Sequence, residues 1–370
     1  MPHPTYTNSR DALKIAVLGA GGGIGQSLSL LLKTELHTTC VAADARVHIA
    51  MYDVNRDAVA GAATDLSHIN TAVYVTWHAP EAGSGPDPLA ACLRGAQLVV
   101  IPAGVPRKPG MTRDDLFAIN ASIVKTLSQG IAAHCDLSRT FVLLISNPVN
   151  SLVPVLVETL VVAGGHQRVT PQTVARRVFG LTQLDAVRAS AFLHEALGLL
   201  PGQSVRVPVV GGHSGHTIVP LFSQAVVGTD KLQERVRSLG PDVLSQLVNR
   251  VQFGGDEVVK AKNGAGSATL SMAYAAAQVT RGFAELLLGV REELQDTLYV
   301  NVGAFAFGEQ VTQLTQGLPY VSLPLAISRD GLQAVDTQWA QKLAPEERKL
   351  WAVCIQELQT AVPQHQEQQS

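Results

Sequence analysis

Several side chains in this 370-residue chain have types and spacings suited to chemistry. Gly19, Gly22 and Gly25 follow the apolar run Lys14–Leu18 and open a helical pattern at Ile24. Glycines between a strand and a helix let the backbone turn tightly and approach a pyrophosphate, whose charge meets the free N–H groups of the helix N-terminus. Their even spacing departs from the commoner G-x-G-x-x-G frame, but the flanking strand and helix favour dinucleotide binding over a merely structural turn. Asp53 closes the next apolar run, Val47–Tyr52. A carboxylate there accepts hydrogen bonds from both ribose hydroxyls and repels a 2′-phosphate, which points to NAD rather than NADP; its competing use is to cap the helix that follows. His213 lies among Gly211, Gly212 and Gly215. An imidazole titrates near neutrality and can take or return a proton, although a lone histidine more often serves as a hydrogen-bonded structural residue. Asp185 and Arg188 are three residues apart on a predicted helix and so project from one face. Arg107 and Arg113 fall in a loop containing Pro and Gly, Gly104–Arg113, suited to act as a lid. Arginine suits carboxylate binding because its planar fork meets both oxygens at once.

The elements that must position these groups follow from hydrophobic periodicity. Strands are predicted at Lys14–Leu18, Val47–Tyr52, Leu98–Ile101 and Phe141–Ile145, with Val73–Trp77 a weaker fifth. Helical patterns at Ile24–Lys33, Ala58–His68 and Leu116–His134 lie between them, the alternation of βαβ units on a parallel sheet. Glu35–Arg46 and Pro80–Pro88 read as insertions, the first lengthening the connection into the second strand and the second an exposed loop. From Ser151 onward longer helices dominate, with one distinctive strand-turn at Val205–Gly215, and the Gln-rich tail from Pro363 is expected to fray. The expected division is residues 1–150 and 151–370.

Composition removes other classes. Twenty-eight basic residues against 30 acidic ones leave a net charge of −2 with no basic block, so no nucleic-acid or anionic-membrane footprint is expected. The longest apolar stretch, from Leu152 to Gly164, is interrupted by Pro154 and Glu158 and is too short for an unbroken span of about 20 residues. Cys40, Cys92, Cys135 and Cys354 are scattered without a metal-type spacing, so reduced thiols and no metal site are expected. Neither a secretory or transit pattern at the N-terminus nor an SKL-type ending is evident, which favours the cytosol.

Five motifs in order make a more specific statement: Val99 to Phe117, Ile145 to Asn150, Leu184 to Arg188, Gly211 to Gly215 and Lys260 to Tyr274. Together they resemble the NAD-dependent malate dehydrogenases of the mitochondrial and enterobacterial type, within the lactate/malate dehydrogenase superfamily, over about Lys14 to Leu350. The resemblance implies an α/β chain: an N-terminal Rossmann domain built on a doubly wound parallel sheet, then a C-terminal α+β substrate domain. It makes His213 the catalytic proton acceptor and Asp185 the carboxylate that fixes its tautomer. It gives Arg188 the carboxylate beside the reacting carbon, Arg107 the distal carboxylate and Arg113 the polarised carbonyl of malate or oxaloacetate. Asn147, at the end of a strand, reaches the substrate crevice. Gly19, Gly22, Gly25, Asp53, Asn120 and Met272 become cofactor contacts. The helices Ala58–His68 and Ser267–Gln278 resemble the family's dimer-forming ones, so a homodimer or homotetramer is expected.

Gln183, Ser214 and His216 depart from the family pattern beside the site, and His216 takes a solvated or supporting role by default. Two other functions compete: a broader 2-hydroxy acid dehydrogenase acting on lactate or aromatic acids, and a non-catalytic dinucleotide-binding scaffold. The guanidinium of Arg107 favours a dicarboxylate over the first, and the joint presence of His213, Asp185 and three arginines argues against the second.

Overall fold

A computed structural model describes residues 13–81, 87–106, 113–305 and 307–361. In the first half, β1 (Leu13–Leu18), β2 (Val47–Tyr52), β3 (Val73–His78), β4 (Leu98–Ile101), β5 (Phe141–Leu144) and β6 (Val178–Gly180) pair in parallel in the order β3-β2-β1-β4-β5-β6. Strands β1, β4 and β5 are buried along almost their whole length, as near-continuous apolar runs in a sheet covered on both faces must be. The order reverses between β1 and β4, and such a reversal opens a crevice at the carboxyl ends of the strands. The connecting helices are α1 (Gly23–Ala43), α2 (Arg56–Ser67), α3 (Pro88–Leu93), α4 (Arg113–His134), α5 (Val149–Ala163) and α6 (Pro171–Ala175).

The stretch Glu35–Arg46 is not an inserted connection. Helix α1 continues through it, because Leu36 and Cys40 extend the buried stripe begun by Leu28 and Leu32 at helical spacing. It stops where Asp44 adopts the left-handed conformation and its N–H turns back to Cys40 and Val41. The edge strand at Val73 forms fully, and Asp87 caps α3 with Pro88 in its first turn. The remainder of the 80–88 loop, residues 82–86, lies outside the described residues, as does the tail from Pro363. Helices α4 and α5 have the length and hydropathy to cross a membrane by composition alone, yet α5 buries Leu152, Val153, Leu156 and Leu160 in a core shared with α4 and the sheet.

In the second half come α7 (Gln183–Ala196), β7 (Val205–Arg206), β8 (Val209–Gly211), β9 (Ile218–Pro220), β10 (Val226–Val227) and β11 (Asp230–Lys231). Helices α8 (Gln233–Ser238), α9 (Pro241–Gln252), α10 (Gly254–Ala261) and α11 (Leu270–Leu288) follow. The chain closes with β12 (Leu294–Asn301), α12 (Glu309–Thr315), β13 (Tyr320–Ser328), β14 (Gly331–Val335), α13 (Gln338–Gln341) and α14 (Pro345–Ala361). Strand β12 joins β6 antiparallel at Tyr299 and Gly180, so the main sheet runs without a break into β12, β13, β8 and β9. The predicted strand before His213 is in fact two. Pro208 cannot donate to a ladder, and the chain changes sheets there: β7 pairs with β10 in a small three-stranded sheet, while β8 pairs with β9 and β13 in the main one. Helix α11 lies along α1 on one face of the sheet, and α4 and α5 cover the other.

Candidate active site

The glycine turn is fixed to the end of β2, where the N–H groups of Gly19 and Ala20 donate to Tyr52 O at 2.8 and 3.0 Å. Gly19 has φ +98°, and a Cβ there would fall 2.5 Å from Ala103 Cα. At Gly25 a Cβ would meet Gly19 O at 2.2 Å, so this glycine lets α1 pack against the turn that follows β1. Gly22 is different: its φ of −77° suits any residue, and a Cβ would make only ordinary contact, 3.6 Å from Gly19 O. The fold does not require glycine at that position. The space left open at the N-terminus of a 21-residue helix fits a phosphate that must come against the backbone. Asp53 does not cap α2; Asn55 does, accepting from Ala58 N–H at 3.2 Å. The Asp53 carboxylate instead accepts from Gly21 N–H at 2.8 Å and Asn55 N–H at 2.9 Å, which holds it against the turn. This is a fitting cradle for NAD.

Asn120 is buried on α4 and ties the segment after β4 to the end of β5. Its Oδ1 accepts from Val105 N–H at 2.9 Å, and its Nδ2 donates to Asn147 O at 2.7 Å and Val105 O at 3.3 Å. Asn147 follows β5, and its bond to Pro148 is cis.

Asp185 sits in the first turn of α7, where the helix N-terminus favours a carboxylate, and is fully buried. Its Oδ2 accepts from His213 Nδ1 at 2.6 Å, which sets the proton on Nδ1 and leaves Nε2 as the acceptor of the ring. Its Oδ1 makes no hydrogen bond within the described residues, and Arg188 Nη1 stands 3.8 Å from it. Burial lowers the pKa of Arg188, while Asp185 and Glu257 oppose the shift. One carboxylate therefore faces the imidazole on one side and a guanidinium on the other. Asn147, Asp185, Arg188, His213 and Met272 all line a single cavity of about 260 Å³. Ile24, from the glycine turn, lines it too, so the cradle and the His–Asp–Arg group adjoin.

Arg107 lies outside the described residues. Of Arg113 only the backbone is described, as the first residue of α4. His216 stands beside the cavity, its Nδ1 3.3 Å from Gln252 Oε1 and its ring edge-on to Phe253. Sequence reasoning missed Asp256, which lines the cavity, and Gly254, where a Cβ would fall 3.0 Å from Arg188 Cδ. It also missed Asn150, which accepts from His213 N–H at 2.8 Å. The only signal for the glycine was the pair Gly254–Gly255 at a helix start.

A doubly wound sheet with a glycine turn at its first strand, joined to a His–Asp pair and an arginine in one cavity, defines a nicotinamide-dependent dehydrogenase. The chain belongs to the lactate/malate dehydrogenase family: residues 13–170 match the lactate/malate dehydrogenase NAD-binding domain, and residues 182–369 match the alpha/beta C-terminal domain. It is 46% identical to the cytoplasmic malate dehydrogenase of Saccharomyces cerevisiae, over 97% of this chain and 95% of that one. It is 41% identical to the mitochondrial malate dehydrogenase of Sus scrofa, over 98% and 93% respectively. The crystal structure of Cryptosporidium parvum malate dehydrogenase superposes with a TM-score of 0.74 at 25% identity, covering 96% of this chain and 100% of that one.

Proposed function

We propose that this enzyme oxidises malate reversibly to oxaloacetate, with residues 1–150 holding NAD and residues 151–370 supplying the substrate chemistry. The observation that carries the reading is the Asp185 carboxylate shared between His213, at 2.6 Å, and Arg188, at 3.8 Å. Arg188 grips the carboxylate next to the reacting carbon and so presents the hydroxyl to His213. Nε2 of His213 takes the hydroxyl proton, and Asp185 stabilises the imidazolium that results. NAD held in the glycine cradle would supply the acceptor for the hydride that leaves that carbon. Gly22 and Asp53 would hold the cofactor by its pyrophosphate and ribose, Gly19 and Gly25 give the turn the close packing that forms this cradle, Asn120 braces the segment after β4, and Met272 would shape the nicotinamide side. Asn147 orients the substrate from the end of β5. Arg107 and Arg113 take the distal carboxylate and the carbonyl oxygen, an assignment supported by their motif. In the reverse direction the same imidazolium returns its proton to oxaloacetate.

The test is initial-rate NADH oxidation with oxaloacetate, pyruvate and phenylpyruvate side by side, repeated with NADPH. Oxaloacetate with NADH is expected to dominate. A preference for either monocarboxylate would overturn the substrate, and turnover by His213→Ala close to wild type would overturn the acid–base residue.

Self-association and a cytoplasmic location belong to the same reading. Leu270 and Tyr274, at the start of α11, are 74% and 44% exposed, an apolar surface suited to a second copy of the chain. Light scattering that reports a monomer would refute a homodimer or homotetramer. The similarity to a cytoplasmic relative supports the location, and a fluorescent fusion found in mitochondria would refute it.

A further inference from the structure

The turn that carries His213 is held from two directions. Within it, Gly212 N–H donates to Thr217 O at 2.8 Å, Thr217 N–H donates to Ser214 O at 3.0 Å, and Thr217 Oγ1 accepts from Ser214 N–H at 3.1 Å. From the other half of the molecule, Asn150 in the first turn of α5 clasps it. Asn150 Oδ1 accepts from His213 N–H at 2.8 Å, and Nδ2 donates to Ser214 Oγ at 3.0 Å. Gly212 makes room for the clasp, since a Cβ there would lie 2.8 Å from Asn150 Nδ2. Asn150 also lies only three residues after Asn147, and the Asn147 carbonyl is tied to Asn120 at 2.7 Å. The same short stretch of chain therefore anchors the loop at the end of β5 and the backbone of the catalytic turn.

We propose that Asn150 is a positioning residue for proton transfer, setting the His213 backbone at a fixed distance from Asn147 across the substrate cavity. Asp185 orients the ring and Asn150 holds the peptide behind it. Proton transfer requires heavy atoms about 2.6–3.2 Å apart, and a misplacement of about 1 Å costs on the order of 100-fold. The inference rests on His213 being the proton acceptor.

Three variants, Asn150→Ala, Asn150→Asp and His213→Ala, are compared with wild type in oxaloacetate reduction across pH, together with NADH affinity by fluorescence and Tm. Asn150→Ala is expected to lower kcat roughly 10- to 100-fold, with the oxaloacetate KM and the NADH affinity within about threefold. Asn150→Asp keeps an acceptor for His213 N–H, so it should recover most of kcat. Its added negative charge should also move the alkaline limb of the kcat/KM profile to higher pH. A kcat for Asn150→Ala within about threefold of wild type would overturn the proposal. So would losses of kcat, NADH affinity and Tm in step, which mark a merely structural role. Should the alanine variant not fold, an unshifted alkaline limb in Asn150→Asp overturns the proposal by itself. An active His213→Ala removes the acid–base reading and this inference with it, whereas an inert His213→Ala beside a fast Asn150→Ala removes only the role of Asn150.

Discussion

Gly22 and Gly25 are the same residue type three positions apart, yet they answer to different demands. Gly25 serves the fold, because its absent side chain is the space through which α1 meets Gly19 O. Gly22 answers to no such demand, since a methyl group there would make only ordinary contact, and the role proposed for it is toward the cofactor. Gly25→Ala is therefore expected to lose about 1–3 kcal/mol of stability through overpacking, read as a fall in Tm. Gly22→Ala should keep Tm within about 2 °C, since a changed helix cap costs a few tenths to about 1 kcal/mol. Its Michaelis constant for NADH should rise roughly tenfold, about 1.4 kcal/mol of lost cofactor binding. Equal Tm losses in the two variants would contradict this separation. At the other end of the site, Asp185→Asn removes the negative charge beside His213 and Arg188, the charge proposed to stabilise the imidazolium. A kcat reduction on the order of 100-fold or more is expected, and steady-state rates with oxaloacetate would reveal it.

Legibility in the sequence depended on whether an element announces itself locally. The parallel strands are buried on both faces, so they stand out as unbroken apolar runs, and β2 and β4 begin and end where the sequence places them. The hairpin β12–β13 escaped because Gln295, Asp296 and Thr297 dilute the first strand and 18 residues separate the two, so only long-range pairing defines it. The extension of α1 was misread because Glu35, His37, Thr38 and Thr39 obscured a stripe that Leu36 and Cys40 carry on. At the candidate site, His213, Asp185, Arg188 and Asn147, which the structure gathers in one cavity, could be singled out because each sits in a distinctive short motif. Asn150 and Gly254 were not, since what they do is defined by a partner 63 or more residues away in the chain. Gly254, at the start of α10, is the wall against which the Arg188 stem lies. Gly254→Ala should raise the oxaloacetate KM roughly tenfold and leave the NADH KM unchanged, because it displaces only Arg188, the arginine proposed to bind the substrate. Parallel changes in both constants would argue against that assignment.

Across the whole molecule, pH acts on stability through a group far from the chemistry. His48 on β2 is bonded through Nε2 to Thr76 Oγ1 at 2.7 Å and stacks on Tyr74. Burial pushes its pKa down from 6.5 to about 3, with Lys14 and His78 adding repulsion. Between those values the unfolded chain holds a proton that the folded protein does not, so stability falls as pH falls through that range. From pH 7.5 to 5.5 the loss attributable to His48 is about 1 kcal/mol, or roughly 2 °C in Tm. Thermal melts at the two pH values should show it, and His48→Gln should lose most of the difference; an unchanged difference would exonerate His48. The unbroken sheet carries a different consequence, one for synthesis of the chain. Strand β6 is complete at Gly180, but its second neighbour β12 does not begin until Leu294. At about 5–20 residues per second a ribosome needs on the order of 10 s to cover that gap. During that time the growing polypeptide presents an unpaired β6 edge together with the α1 surface that α11 will later cover. Both are places where nascent chains stick to one another, and so where a holding chaperone would act.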